Sequence, residues 1–396
     1  LDKAYRDLRA AVQGQPMPFA YVELDKFDAN VQALLQRAGN SPICVATKSI
    51  RSIGMIRRIL EASPQFHSLM AYSVREAVHL AENGFDNILV AYPVWSEAKA
   101  PGFADALRAG KTIRLMVDLE EHLEFLEEIG AAQGVVIPVC LDVDMSHRAP
   151  GLHFGVRRSG ITTPVQAVRL YEASRQCPHV RLDALMGYEA QIAGVQDDVP
   201  GAFAKMSVIR MLKRRSLVEV RERRKAVVEA LRAAGCDLRV VNGGGTGSLE
   251  STREESVITE VTTGSGFYSP GVFDHYRGFK HLPSAGFAIE IVRRPEEHIF
   301  TCHGGGYIAS GPPGADRLPI PHLPAGAKLL PLEGAGEVQT PVEYHGPEAL
   351  KLGDPIFMRH AKAGELCERF ETLLLIQGGE VVGETTTYRG DGKCFL

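Results

Sequence analysis

A chain of 396 residues exceeds the roughly 250–300 at which one core stops growing, so a small stapled module is excluded, and two domains or a large barrel with an appendage are expected. With 45% hydrophobic and 23% charged residues the chain is neither disordered nor fibrous. Forty-four basic residues against 48 acidic ones leave a net charge of −4, which gives no cationic field for nucleic acid or anionic lipid and points to small-molecule partners.

The opening stretch, Leu1 to Pro16, lacks the basic-then-apolar layout of a signal peptide. No apolar run approaches the roughly 20 residues of a membrane span, so the expected compartment is the cytoplasm. From about residue 40 to 270, β-rich runs alternate with longer amphipathic stretches. The predicted strands are Ile43 to Lys48, His67 to Tyr72, Asn87 to Pro93, Ile113 to Asp118, Val135 to Asp144, Leu185 to Gln191, Leu238 to Gly243 and Val257 to Thr263. Between them lie helical patterns such as Val74 to Glu82, Leu119 to Ile129, Pro164 to Arg175 and Lys205 to Ala234. Eight parallel strands with crossover helices outside make a (β/α)8 barrel, expected over residues 18–275.

The basic residues of the last helix, Arg210 to Lys225, are interleaved with Glu219, Glu222 and Glu229 and read as a solvated face. After about Ala285, strands separated by Gly and Pro predict an all-β domain over 276–396: Ala288 to Val292, His298 to Cys302, Lys328 to Leu332, Pro355 to Met358, Thr372 to Gln377 and Val381 to Tyr388. Residues 1–17 are expected to pack on that domain, and Gly311 to Pro324 reads as a loop. The seven cysteines have no CxxC pair and read as reduced thiols, with Cys44, Cys140 and Cys177 in the core.

The strands end in polar or small residues, and the C-terminal rim of such a barrel is where chemistry sits. Asn242-Gly243-Gly244-Gly245-Thr246-Gly247-Ser248 follows one strand, and Thr262-Thr263-Gly264-Ser265-Gly266-Phe267-Tyr268 follows the next. Glycines let backbone N–H groups approach a phosphate, hydroxyls add donors, and barrels often bind phosphate between the loops after strands seven and eight. Lys48 ends the first strand, where desolvation lowers an amine's pKa and lets the neutral form attack a carbonyl. A plainer reading pairs Lys48 with a carboxylate such as Asp144 or Glu189.

These motifs, with Gly187-Tyr188-Glu189-Ala190-Gln191, Cys302-His303-Gly304-Gly305-Gly306-Tyr307 and the surroundings of His360, resemble fold-type III pyridoxal-phosphate enzymes, the class of alanine racemase. More specifically they resemble the D-threonine aldolase and D-serine dehydratase superfamily, and within it the bacterial group called "amino acid deaminase/aldolase". The resemblance implies an alanine-racemase-like barrel, a C-terminal β-domain and a homodimer. By it Lys48 binds the cofactor covalently; Asn242, Gly244, Gly245, Thr246, Gly264, Ser265 and Tyr268 belong to the cofactor site around the phosphate; and Tyr188 and Gln191 lie beside the pyridine ring. Gln191 stands where related aldolases usually carry histidine. Arg157 and His147 are candidate substrate contacts.

Relatives also hold a divalent metal through a histidine and, two residues later, a cysteine or aspartate, a spacing that puts both on one face of a strand. Here that second position is Lys362. Two readings follow. Either His360 with Cys367 or Glu365 binds Zn, Mn or Mg, or the Lys362 ammonium replaces the metal.

The implied reaction is cleavage of a D-3-hydroxy amino acid to glycine and an aldehyde. Alternatives are a D-serine- or D-3-hydroxyaspartate-type dehydratase, and a racemase with Tyr307 as its second acid/base. A non-catalytic cofactor carrier and a cofactor-free Schiff-base aldolase acting on phosphosugars rank below these.

Overall fold

The computed structural model describes residues 2–149, 151–312 and 314–396. Its centre is a closed barrel of eight parallel strands: Ile43–Ala46, Phe66–Ala71, Ile88–Pro93, Ile113–Val117, Ile137–Asp142, Val180–Gly187, Val240–Gly243 and Glu260–Thr263. All eight overlap predicted runs, the sixth least: the run predicted at Leu185 to Gln191 is strand only to Gly187, and Ala190–Ala193 is a short helix. The first stops at Ala46, and Lys48 sits on a 3-10 turn, Thr47–Ser49, that lifts it off the strand onto the rim.

Barrel strands are buried on both faces and therefore read as continuous apolar runs. Ile43–Ala46, Ile113–Val117 and Ile137–Asp142 are buried at every position. The crossover helices start at residues suited to capping. Ser52 and Ser73 accept from the third helical N–H, and Thr163 forms a reciprocal capping box with Gln166 ahead of Pro164. Closure pairs Val261–Thr263 of the eighth strand with Ile43–Val45 of the first. The turns after strands seven, eight and one are therefore neighbours.

A second sheet of nine strands is built mostly from residues after 285. Its long strand Ala285–Glu296 pairs with Ile299–His303, with Pro355–Arg359 and with Phe19–Glu23. Phe19–Glu23 also pairs in parallel with Thr372–Gln377. By its hydrogen bonds this early strand is an interior member of the second sheet, although it falls inside the 18–275 span expected for the barrel. Helix Lys3–Ala11 lies on the same sheet, where the Tyr5 hydroxyl donates to the Pro355 carbonyl at 3.1 Å. One continuous apolar core runs from barrel to sheet.

Several elements were not expected. A hairpin, His147–Ala149 with Leu152–Phe154, follows the fifth barrel strand, and strands Ile320–Leu323 and Gln339–Glu343 complete the second sheet. The solvated reading of helix Phe203–Ala233 fails for two residues, since Lys213 and Arg224 are buried and paired with Asp197 and with Glu189 and Glu255. All seven cysteines are free thiols.

Candidate active site

One pocket at the C-terminal rim is lined by Lys48, Ser49, Tyr92, Arg158, Tyr188, Asn242, Gly244, Gly245, Thr246, Thr262, Gly264 and Ser265. It opens into a cleft of about 620 Å³, within the range of small-molecule sites of about 300–1,000 Å³. The cleft adds Arg51, His153, Gln191, Ser310, Lys362 and Glu365.

The two glycine turns meet edge to edge. Thr246 Oγ1 lies 3.0 Å from Thr263 Oγ1 and accepts from the Gly266 amide at 3.2 Å, while Ser265 Oγ lies 3.2 Å from Ser49 Oγ. Among the described residues the amides of Thr246 and Ser265 have no hydrogen-bond partner. A Cβ on Gly245 would stand 2.9 Å from Ala193 Cβ, and one on Gly264 would stand 2.8 Å from the Ala46 carbonyl, so both turns need glycine for close packing. Free amides, hydroxyls and bare backbone converging on one spot suit an anionic phosphate.

Under the first turn, Glu189 accepts from the Gly244 amide at 3.2 Å, from Ser248 Oγ at 2.8 Å and from Thr252 Oγ1. Its charge is met by Arg224, 2.7 Å away and fully buried. Asp144 in turn is held by Ser146 and Arg148. Neither carboxylate pairs with Lys48, which removes the plainer reading of that lysine.

Lys48 Nζ instead donates to the Tyr92 hydroxyl at 2.8 Å. Burial raises the Tyr92 pKa, but the Lys48 ammonium, its hydrogen bond and Arg158 outweigh it and leave the phenol more acidic than usual. The Arg158 guanidinium lies 5.6 Å from the Tyr92 ring centre and 6.0 Å from that of Tyr188. Nearby Asp142 is pushed up to about 7 by burial and then by Asp118 and Asp144, with Arg158 opposing. On the pocket floor Thr262 donates to Asn242 Oδ1 at 2.9 Å, and Asn242 donates to Glu260 at 2.7 Å.

The structure thus brings together Lys48, Tyr188, Asn242, Gly244, Gly245, Thr246, Gly264 and Ser265 in the pocket, with Gln191 on the adjoining cleft. Gln191 is buried, and its amide nitrogen donates to the Met145 carbonyl at 2.6 Å. Tyr268 does not line the pocket. It is fully buried, and its hydroxyl donates to the Ile50 carbonyl at 3.3 Å. His147 points to Glu219 on the long helix, and Arg157 is exposed outside the cleft, while its neighbour Arg158 enters it.

Tyr307 packs against Phe287 and Phe370. Tyr92 and Arg158 were missed. Tyr92 is a polar residue near a barrel-strand end, so the rule that singled out Lys48 and Tyr188 could have found it.

Pyridoxal phosphate fits these residues: an amine on the rim, an anion cradle on the neighbouring turns and polar side chains, Asn242 and Thr262, in the same pocket. A divalent metal does not. His360 is buried with neither ring nitrogen hydrogen-bonded among the described residues, but the Cys367 thiol is turned to the Ile50 carbonyl at 3.3 Å. Neither residue lines the cleft, Glu365 is turned to Ser310, and no group of three or more His, Cys, Asp or Glu side chains placed to hold a metal exists among the described residues.

The family model described as "Alanine racemase, N-terminal domain" matches residues 22–270. A 3-hydroxy-D-aspartate aldolase of Paracoccus denitrificans (strain Pd 1222) is 24% identical over 192 residues, 48% of this chain and 44% of that protein. A D-threonine aldolase of Arthrobacter sp is 23% identical over 256 residues, 64% of this chain and 61% of that one. These matches span about half the length of the curated relatives. The crystal structure of D-threonine aldolase from Filomicrobium marinum superposes with a TM-score of 0.79 at 20% identity, covering 95% of each chain.

Proposed function

The chain belongs to the alanine racemase N-terminal domain family, whose members share the fold-type III pyridoxal-phosphate architecture, and on that premise we propose that it is a pyridoxal-phosphate-dependent lyase cleaving a D-3-hydroxy amino acid to glycine and an aldehyde. The observation that carries this reading is Lys48 in one pocket with both glycine turns. Similarity to a D-threonine aldolase and a 3-hydroxy-D-aspartate aldolase supports the substrate class.

When bound, the cofactor supplies an electron sink for the pair released as a bond to Cα breaks. The chain's own groups do the rest. Lys48 would hold the cofactor through its aldehyde, and the Thr246 and Ser265 amides, with the hydroxyls of the two turns, would hold its phosphate. Arg158, exposed to the cleft, takes the substrate carboxylate. Tyr92 orients the Lys48 amine and exchanges a proton with it at the phenol oxygen.

The test is to reconstitute the protein with pyridoxal phosphate, confirm a covalent complex by its long-wavelength absorption and the loss of that band in Lys48→Ala, and supply D-threonine. Glycine and acetaldehyde in equal amounts are expected. A 2-oxo acid with ammonia and no glycine would replace this reading with the dehydratase one.

A further inference from the structure

We propose that the Lys362 ammonium, and not a divalent ion, is the cation that binds the β-oxygen of the substrate. This rests on the lyase reading above and deepens it. Lys362 follows the last residues of strand Pro355–Arg359 on a turn that packs onto the Lys48 turn, where a Cβ on Gly364 would meet the Lys48 carbonyl at 2.4 Å. Its side chain lines the same cleft as Lys48, Arg158 and Gln191.

The ammonium is held without a direct ion pair. It donates to the Ser310 carbonyl at 3.2 Å and to Ser310 Oγ at 3.0 Å. The carboxylate nearest in sequence, Glu365, takes the Ser310 amide and hydroxyl on its Oε1 alone, at 3.1 and 2.8 Å, so it acts on the ammonium through Ser310 and not by direct contact. Among the described residues Lys362 has no ion pair within 4.0 Å. An ammonium carries three donors, two of which are used here, so one remains for a ligand oxygen. His360 and Cys367 lie behind the cleft wall and offer that oxygen nothing, so Lys362 supplies the positive charge on this side of the substrate.

The packing of its turn on the Lys48 turn, together with the shared cleft, places Lys362 beside the reacting end of the pocket. A hydrogen bond from an ammonium to the β-oxygen strengthens as that oxygen gains negative charge, which favours the transition state over the ground state.

The holoenzyme tests this directly. After dialysis against a chelator, D-threonine turnover should stay within about twofold of its starting value, with metal well below one equivalent per chain by elemental analysis. Lys362→Met should lower kcat/KM about 100-fold, the size of effect seen on removing one charge-stabilising donor, and Lys362→Arg should restore part of it.

Binding is read separately from the change in cofactor absorbance on titrating D-serine and D-alanine, which differ by the β-oxygen. Lys362→Met should weaken D-serine about tenfold more than D-alanine, and this comparison holds even if the wild type turns over neither amino acid, so it separates failure of this inference from failure of the aldolase reaction. Equal weakening of both ligands, activity of Lys362→Met near wild type, or a stoichiometric metal whose removal abolishes turnover would each overturn the proposal. An absence of any spectral response to either amino acid would overturn both this inference and the lyase reading.

Discussion

At the scale of single residues, the site depends on a buried carboxylate that lines neither the pocket nor the cleft. Glu189 gathers three donors from the first glycine turn and the short helix behind it, with Arg224 as its counter-charge. It is a positioning residue for the phosphate cradle. Glu189→Gln keeps the shape but replaces an acceptor by an amide that also donates, so the Gly244 and Ser248 contacts cannot all be kept. The dissociation constant for pyridoxal phosphate, by absorbance titration, is expected to rise about tenfold, or about 1.4 kcal/mol. Tyr92→Phe should leave that constant within about twofold and lower kcat about 100-fold, the size of a lost proton-transfer partner.

The positions of such residues were legible where the strand ends were, but the direction of each side chain was not. Arg157 and Arg158 are adjacent, and an irregular loop decides which of them enters the cleft. Tyr268 shares a motif with Gly264 and Ser265, yet the turn aims it into the core. That contact is with a residue 218 positions away, beyond the reach of local pattern.

At the scale of elements, the barrel was readable because strands buried on both faces are short unbroken apolar runs between helical periods. Phe19–Glu23 has the same texture. What made it look like barrel was chain position, whereas its partners lie near residues 285–288 and 373–376. The two glycine turns were readable from composition, and their packing explains it. Gly264→Ala would press a methyl onto the first strand at the Ala46 carbonyl and push the turn away from Lys48. Cofactor affinity should fall at least about tenfold while the fold is retained, as seen by unchanged far-UV circular dichroism. Arg224→Met instead leaves Glu189 and Glu255 buried without their cation and should cost about 3–5 kcal/mol of stability in denaturant unfolding.

At the scale of the whole molecule, Glu76 ties barrel to sheet domain. It is fully buried on the helix Val74–Glu82, accepts from the Tyr72 amide at 2.7 Å and takes the Tyr388 hydroxyl at 2.9 Å. Burial pushes its carboxyl from 4.5 up to about 7, against those hydrogen bonds. The folded state therefore favours the protonated form. The stability this gives is full below about pH 4.5 and is lost as pH rises to about 7, a change on the order of 3 kcal/mol. Thermal unfolding of Glu76→Gln across that window should show a flatter decline than the wild type, and parallel curves would refute the assignment.

The early strand in the second sheet has a consequence for how the molecule is made. Its slot between Ala285–Glu296 and Thr372–Gln377 is filled by a piece synthesised some 260 residues ahead of the first of these partners. During synthesis that piece leaves the ribosome long before either of its partners. A gene cut after residue 275 would strand it on the wrong half, and the remaining fragment would carry a gap through its middle that only the severed half could fill.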